Sequence, residues 1–262
     1  MDTWRLIPLE MHDAFVNMAI DEAILTARIA NRVPNTLRLY RWRPSAVSIG
    51  KNQNLQETVY MDNLGKFGVD LVRRISGGGT VFHSHEGEVT YSVTARTRDI
   101  SSAGDITTVY TQIYQAITDA LRLLGIPADF SPGDAKNCPN LTVNGKKISG
   151  SAQTIKRGTV LQHGTLLLNV DLPRMYQLLR AKNATPAQAA QYAQAKITSI
   201  QNELGHAVTP ETAANAIAQG FHAILKIQLE PGKLTSYEQE LAQKLCTQKY
   251  ATPNWNLNAK MG

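Results

Sequence analysis

One helix followed by a crowd of short strands is the feature that most restricts the fold of this chain. Asp13 is a good helix cap, and Phe15, Met18, Ala19 and Ala23 recur behind it at helical spacing, which predicts a helix over 14–30. Five β-rich runs come next, at 36–40, 46–50, 70–73, 81–83 and 88–93, before another strong helical pattern begins. Parallel neighbours need a long crossover between them, usually a helix, so this order disfavours a doubly wound parallel sheet. It predicts an α+β chain with a mixed, largely antiparallel sheet flanked by helices.

The remaining elements fit the same class. Ile106, Val109, Ile113, Ile117, Leu121 and Leu124 form one stripe, with Asp105 as cap and Gly125 as stop, so a helix is predicted over 106–124. Asn144-Gly145 tolerates the positive φ of a type I′ turn and joins runs 141–143 and 146–148 into a tight hairpin. A strand over 160–168 and a short helix over 172–179 follow. The Ala- and Gln-rich stretch 187–195 reads as helix or as an ordered excursion. Thr209-Pro210 opens a helix to about 225, because proline suits the first helical position, and a last helix covers 236–249. The chain reads as a single catalytic domain over 1–262, with a C-terminal helical segment from about 208 packed on it and no separate accessory domain.

Bulk properties exclude some classes of function. The chain has only two cysteines, Cys138 and Cys246, which argues against a disulfide-stapled secreted domain. It shows no signal peptide and no apolar run long enough to span a bilayer, so a cytoplasmic enzyme with no membrane partner is expected. The net charge is +6, but the positives are scattered apart from small groups such as Arg73-Arg74 and Lys146-Lys147. That pattern speaks against nucleic acid and suits an acidic protein partner.

Three segments carry chemistry. Arg73-Arg74-Ile75-Ser76-Gly77-Gly78-Gly79-Thr80 places three glycines behind a strand, where a core has little use for them. Such a run lets a ligand approach the main chain, and two arginines offer forked donors beside it. In Lys146-Lys147-Ile148-Ser149-Gly150-Ser151-Ala152, a lysine on a hairpin arm is flanked by small residues that leave room for a ligand. Its ammonium can stabilise an oxyanion or a phosphate. Strand alternation sends Lys146 to the opposite face. In the third segment, His163-Gly164 interrupts an apolar strand with a polar ring and a gap. The competing readings are a plain glycine turn, two solvated lysines and a structural histidine. His83 and His85 could share one strand face as metal ligands, but no second His/Cys cluster accompanies them. Cys138, nine residues before Lys147, is either a thiol of lowered pKa or an unreactive small side chain.

Together these segments resemble the lipoate-protein ligase and octanoyltransferase family. The matching pieces are Asn17-Met18-Ala19-Ile20-Asp21-Glu22-Ala23, the arginine-glycine run, Gly145 to Ala152, His163 to Asn169, and Lys249-Tyr250 with Trp255-Asn256. The resemblance implies a fold akin to biotin protein ligases and class II aminoacyl-tRNA synthetases. It implies that Lys147 contacts the acyl carbonyl and that the glycine run lines an acyl tunnel. The acyl- or adenylate-binding set is then Arg73, Arg74, Ser76, Gly77, Gly78, Gly79, Thr80, His83, Ser149, Gly150, Ser151, Ala152, His163 and Gly164. The first expectation is an ATP- and Mg2+-dependent lipoate ligase working through lipoyl-AMP, with Asn140 as a metal ligand. The alternative is an octanoyltransferase that draws on acyl carrier protein through Cys138 and needs no nucleotide. The third is a non-catalytic binding module. Pro139-Asn140 stands where ligases often carry Asn-Asp, and the chain ends where a ligase accessory domain would begin, so a separate small subunit is expected for a ligase. The implied acceptors are lipoyl domains of 2-oxoacid dehydrogenase complexes or an H-type protein of glycine cleavage.

Overall fold

The computed structural model describes residues 1–131 and 139–259. In chain order the strands are β1 (Thr3–His12), β2 (Thr36–Trp42), β3 (Ala46–Ile49), β4 (Asp70–Arg73), β5 (Val81–His83), β6 (Glu88–Arg96), β7 (Asp129–Ser131), β8 (Asn140–Val143), β9 (Lys146–Lys156), β10 (Thr159–Leu167) and β11 (Gln228–Pro231). Eight of them form one sheet in the order β11-β1-β2-β6-β10-β9-β8-β7, and β4-β3-β5 form a second. β1 runs parallel to both β11 and β2, while the pairs from β2 to β7 are antiparallel. The sheet is therefore mixed and largely antiparallel, as the order of patterns predicts.

β1 and β11 are absent from the sequence-based expectation. Pro8 lies within β1 and cannot donate to a ladder, and the β1–β2 register shifts between Ile7 and Glu10. The Asn144-Gly145 turn has φ of 50° and 75° at its two residues, the conformation a type I′ hairpin requires. The stretch left open at 187–195 is the helix Pro186–Gln194, closed at its start by a Thr185/Gln188 capping box. Among the described residues, no helix is long and apolar enough to cross a membrane.

The two faces of the large sheet differ in chemistry. On β6, Val89, Tyr91, Val93 and Ala95 join the apolar core beneath the helices Ile106–Leu123 and Pro210–Leu225. The alternate residues Glu88, Thr90, Ser92 and Thr94 are equally buried but polar. Ser92 bonds to Asp21 of the helix Ala14–Ile29, whose own apolar residues pack with Tyr40, Trp42 and Leu161 in a second core. Asp13 caps that helix through Val16 N–H at 2.8 Å. The helix Ser236–Leu245 is held from behind by the buried Arg5–Glu238 pair, at 2.6 Å. Of the predicted 106–124 stripe, Val109, Ile113, Ile117 and Leu121 are buried, whereas Ile106 at the helix start is 60% exposed.

The two helices on the apolar face touch at Gly220. A Cβ there would lie 2.1 Å from the carbonyl oxygen of Ala116 and 3.0 Å from the Ala120 nitrogen. Backbone cannot yield as a side-chain tip does, so Gly220→Ala should force the helices apart. The expected cost is about 1–3 kcal/mol, read as a lower urea midpoint. An unchanged midpoint would show that the helices separate freely.

Candidate functional site

The polar face of the sheet closes around Asp21. Arg38 Nη1 donates to its Oδ1 at 2.9 Å, Ser92 Oγ to Oδ1 at 2.9 Å, and Tyr40 Oη to Oδ2 at 3.0 Å. His163 Nδ1 lies 3.1 Å from Oδ2, and its Nε2 lies 2.6 Å from Ser76 Oγ at the head of the glycine run. Burial alone would raise the Asp21 carboxyl. The hydrogen bond from His163, the charge of Arg38 and the Ser92 hydroxyl outweigh it and hold the group below the usual carboxylate range. Burial pushes the His163 imidazole below its ordinary value, with Asp21 pulling the other way. A neutral ring that donates from Nδ1 to the carboxylate accepts the Ser76 hydroxyl's hydrogen bond at Nε2.

The adjacent arginines part company. Arg74 Nη2 donates to the carbonyls of Gly77 and Gly79, both at 2.9 Å, and its Nη1 donates to Ser48 Oγ at 2.7 Å. Ser48 Oγ lies 2.7 Å from His83 Nε2, and His83 Nδ1 lies 2.7 Å from Glu88 Oε1. Arg73 turns to the other side. Its guanidinium donates to the carbonyls of Gly50, Lys51 and Gln53 and of Trp255 and Asn256. The expectation that Arg73 faces a ligand is therefore corrected. Successive strand residues point to opposite sides, and Arg73 clamps the C-terminal helix Pro253–Asn258 to the strand that feeds the glycine run. The run itself sits close to its neighbours. A Cβ on Gly50 would fall 2.2 Å from the Gly78 carbonyl oxygen, and Gly78 has φ of +87°.

Lys147 lies across the cavity from this run. Its strand pairs with β10 only from Ser149 onward, and before that residues 196–198 take the pairing: Lys147 N–H donates to Lys196 O and Thr198 N–H to Lys147 O. A Cβ on Gly150 would meet both Cε and Nζ of Lys147 at 2.6 Å, so the missing side chain is the seat of the ammonium. Asn140, paired with Gly150 in the hairpin, lies beside it.

Between these walls is a cavity of about 270 Å³. Arg74, Gly78, Gly79, Thr80, His83, Asn140, Lys147, Gly150, Ser151, Ala152, His163 and Gly164 all line it. Arg73, Ser76, Gly77 and Ser149 do not: Ser76 acts from behind on His163, and Ser149 is fully buried. Lys146 likewise stays away from the cavity. The sequence reading missed the rest of the wall, notably Met18, Tyr40, Trp42, Thr90, Tyr176 and Ile197. Met18 lies in a motif quoted for the family, whereas Tyr40, Trp42, Tyr176 and Ile197 carry no local mark. Trp42 stacks on His83 with ring centres 4.0 Å apart and planes 18° apart. His85 holds the Trp42 carbonyl through Nδ1 at 2.8 Å, and the described residues contain no cluster of three His, Cys, Asp or Glu that could hold a metal. Cys138 lies outside the described residues.

Comparison with known proteins places this arrangement in a family. Residues 13–222 match the catalytic-domain model of lipoyl protein ligases A and B. The chain belongs to that family, and is an enzyme of the lipoate-ligase type. Octanoyltransferase LipM of Symbiobacterium thermophilum is 38% identical over 97% of this chain and 98% of its own length. Octanoyltransferase LipM of Bacillus subtilis is 31% identical over 97% and 98%. Among solved structures, the bipartite lipoate protein ligase of Thermoplasma acidophilum, described with its E2 lipoyl domain, superposes with a TM-score of 0.85. It is 27% identical, over 100% of this chain and 98% of that one. A lipoate-protein ligase A bound with ATP gives a TM-score of 0.84 at 27% identity, over 99% and 100%.

Two predictions follow from the geometry. Gly150→Ala places its Cβ where the Lys147 ammonium sits, and a flexible tip can swing aside. Folding stability should change by less than about 1 kcal/mol while acyl transfer falls by roughly 10²-fold, the usual scale for a misplaced oxyanion donor. Thermal melts and transfer rates measured together decide it, and an unimpaired rate rejects the seat. The second concerns acid. Because the folded His163 has a depressed pKa, the unfolded chain takes its proton first, as pH falls through about 6.5. The stability carried by neutral His163 is thus full above that pH and lost below it. Between pH 7 and 5, Tm of the wild type should drop more steeply than that of His163→Gln; parallel curves would contradict this.

Proposed function

We propose that this enzyme transfers an octanoyl group from an acyl carrier protein to a specific lysine of a lipoyl-domain protein, with Cys138 as the covalent relay. The observation that carries the reading is the neighbourhood of Lys147. Its ammonium is seated at a largely apolar cavity next to Asn140, and Cys138 precedes Asn140 by two positions in the chain. Relatives matched over nearly their whole length bear the name octanoyltransferase, which favours this route over the adenylate route expected first from the resemblance. The described cavity lining offers Asn140 but no carboxylate, whereas Mg2+ beside a nucleotide is generally held through carboxylates. ATP and Mg2+ therefore take no part in the steps below.

The Cys138 thiolate attacks the carbonyl carbon of the carrier's octanoyl thioester. The bond to the carrier's sulfur breaks, and that thiolate leaves and takes up a proton. The acyl chain stays in the cavity against Trp42, His83 and Met18 while the carrier is exchanged for the acceptor. The acceptor's neutral lysine amine then attacks the same carbonyl, the carbon–sulfur bond breaks, and the amine proton is lost as the amide forms. In both tetrahedral states Lys147 donates to the oxyanion, and the thiol suits a relay because it both attacks and leaves readily. Acceptors of this kind are the lipoyl domains of 2-oxoacid dehydrogenase complexes or an H-type glycine-cleavage protein.

Incubation with octanoyl carrier protein alone should give an octanoyl adduct on Cys138 by intact-mass analysis, without nucleotide. Cys138→Ser should lose the adduct and lower transfer by roughly 10³-fold or more, as removal of a covalent nucleophile does elsewhere. If Cys138→Ser instead lipoylates at full rate from ATP and lipoate, with AMP released, the adenylate route is the true one.

A further inference from the structure

The proposed reaction makes no use of Glu88 or Ser48, yet both are buried beside the cavity and bonded in series. Glu88 Oε1 accepts from Thr90 Oγ1 at 2.8 Å as well as lying against His83, and Thr90 accepts from Trp42 Nε1 at 2.8 Å. Glu88 belongs to the large sheet, while His83 on β5 and Ser48 on β3 belong to the small one. Ser48 pairs with Val81, which makes His83 its diagonal neighbour on the adjoining strand. The series thus crosses the seam between the sheets and ends on the arginine that grips the glycine run.

The direction of each bond follows from chemistry. Arg74 can only donate, so the Ser48 oxygen accepts from it, and the Ser48 proton is left to point at His83 Nε2. A carboxylate can only accept, so His83 must carry its proton on Nδ1. The opposite tautomer would set a bare nitrogen lone pair 2.7 Å from Glu88 and leave the Ser48 proton facing an N–H. We infer that Glu88 and Ser48 are positioning residues of the acyl-binding wall. Glu88 sets the His83 tautomer and ring plane against Trp42, and Ser48 hands that order to Arg74, which shapes the Gly77–Gly79 backbone. Neither residue touches the reacting atoms.

The inference rests on the reading that the cavity takes an acyl chain, and calorimetry with octanoate separates the two. Wild-type enzyme that binds no octanoate would overturn that reading and this inference with it. Given binding, Glu88→Ala should weaken octanoate by about 10-fold, the scale of a modest misplacement in a binding wall. Nitrogen-15 NMR of the His83 ring should show the Nδ1–H form giving way to a mixture. Glu88→Gln should stay within about 3-fold of wild type, because its side-chain carbonyl accepts from the same N–H. The KM for the lipoyl-domain acceptor should hold in both, which a general loss of structure would not allow. Wild-type affinity in Glu88→Ala, or equal losses in both variants with the tautomer unchanged, would overturn the inference. Should Glu88→Ala fail to fold, Ser48→Ala carries the test. It should weaken octanoate while His83 keeps its Nδ1 proton, and wild-type affinity there would overturn the inference equally.

Discussion

Asp21 is a charge buried where one helix meets three strands, and its partners come from each of the strands. Arg38 and Tyr40 rise from β2, Ser92 from β6 and His163 from β10. A carboxylate in that position is tolerable only with its hydrogen bonds complete, and removing one side of such a pair typically costs about 3–5 kcal/mol. The requirement fixes how the Ala14–Ile29 helix lies on the sheet, and the helix then supplies Met18 to the cavity wall. Glu22, the next residue, reaches the other way. It accepts from Lys249 Nζ and Tyr250 Oη, both at 2.6 Å, and so ties the same turn to the C-terminal segment. Burial lowers the Lys249 ammonium, against the pull of Glu22, and the ammonium also lies 4.1 Å over the Trp255 ring.

A sheet with one apolar and one polar buried face explains where the site is. On the apolar face, stability is a matter of packing, and Gly220 is small because helices meet there. On the polar face every donor needs a direction, and the glycines have a different use. Gly50 lets the glycine run press against its backbone, and Gly150 seats an ammonium. The cavity is the space that these missing side chains and the bonded polar groups leave open.

Local chemistry was readable from the sequence where one residue decides the outcome. Asp13 and Asp105 cap helices in the expected places, and Asn144-Gly145 makes the expected turn. Strand alternation separates Lys147 from Lys146, and the family resemblance, not the alternation, chose between them. The same alternation divides Arg73 from Arg74, but an identical pair gives no sign of which member faces the ligand. β1 was hidden by Pro8, and the length of β9 by small polar residues that resemble a loop. Ser48, Tyr40 and Trp42 went unread for another reason. Each looks like an ordinary strand residue, and its part depends on contacts with strands that only the tertiary fold brings near.

The Arg73 clamp also bears on how the enzyme comes into being. Asn256 Oδ1 accepts from the Arg73 backbone N–H at 2.9 Å, and Trp255 Nε1 donates to the Arg73 carbonyl at 2.8 Å, across more than 180 residues of chain. Glu22 with Lys249 and Arg5 with Glu238 join parts still farther apart in the chain. Contacts so far apart in sequence close late, because the intervening chain must first be ordered. A polypeptide still emerging from the ribosome can hold Lys147, His163 and the glycine run and yet lack the support that sets the run in place. The order of the glycine run thus depends on residues 249–256, which lie far from it in the chain.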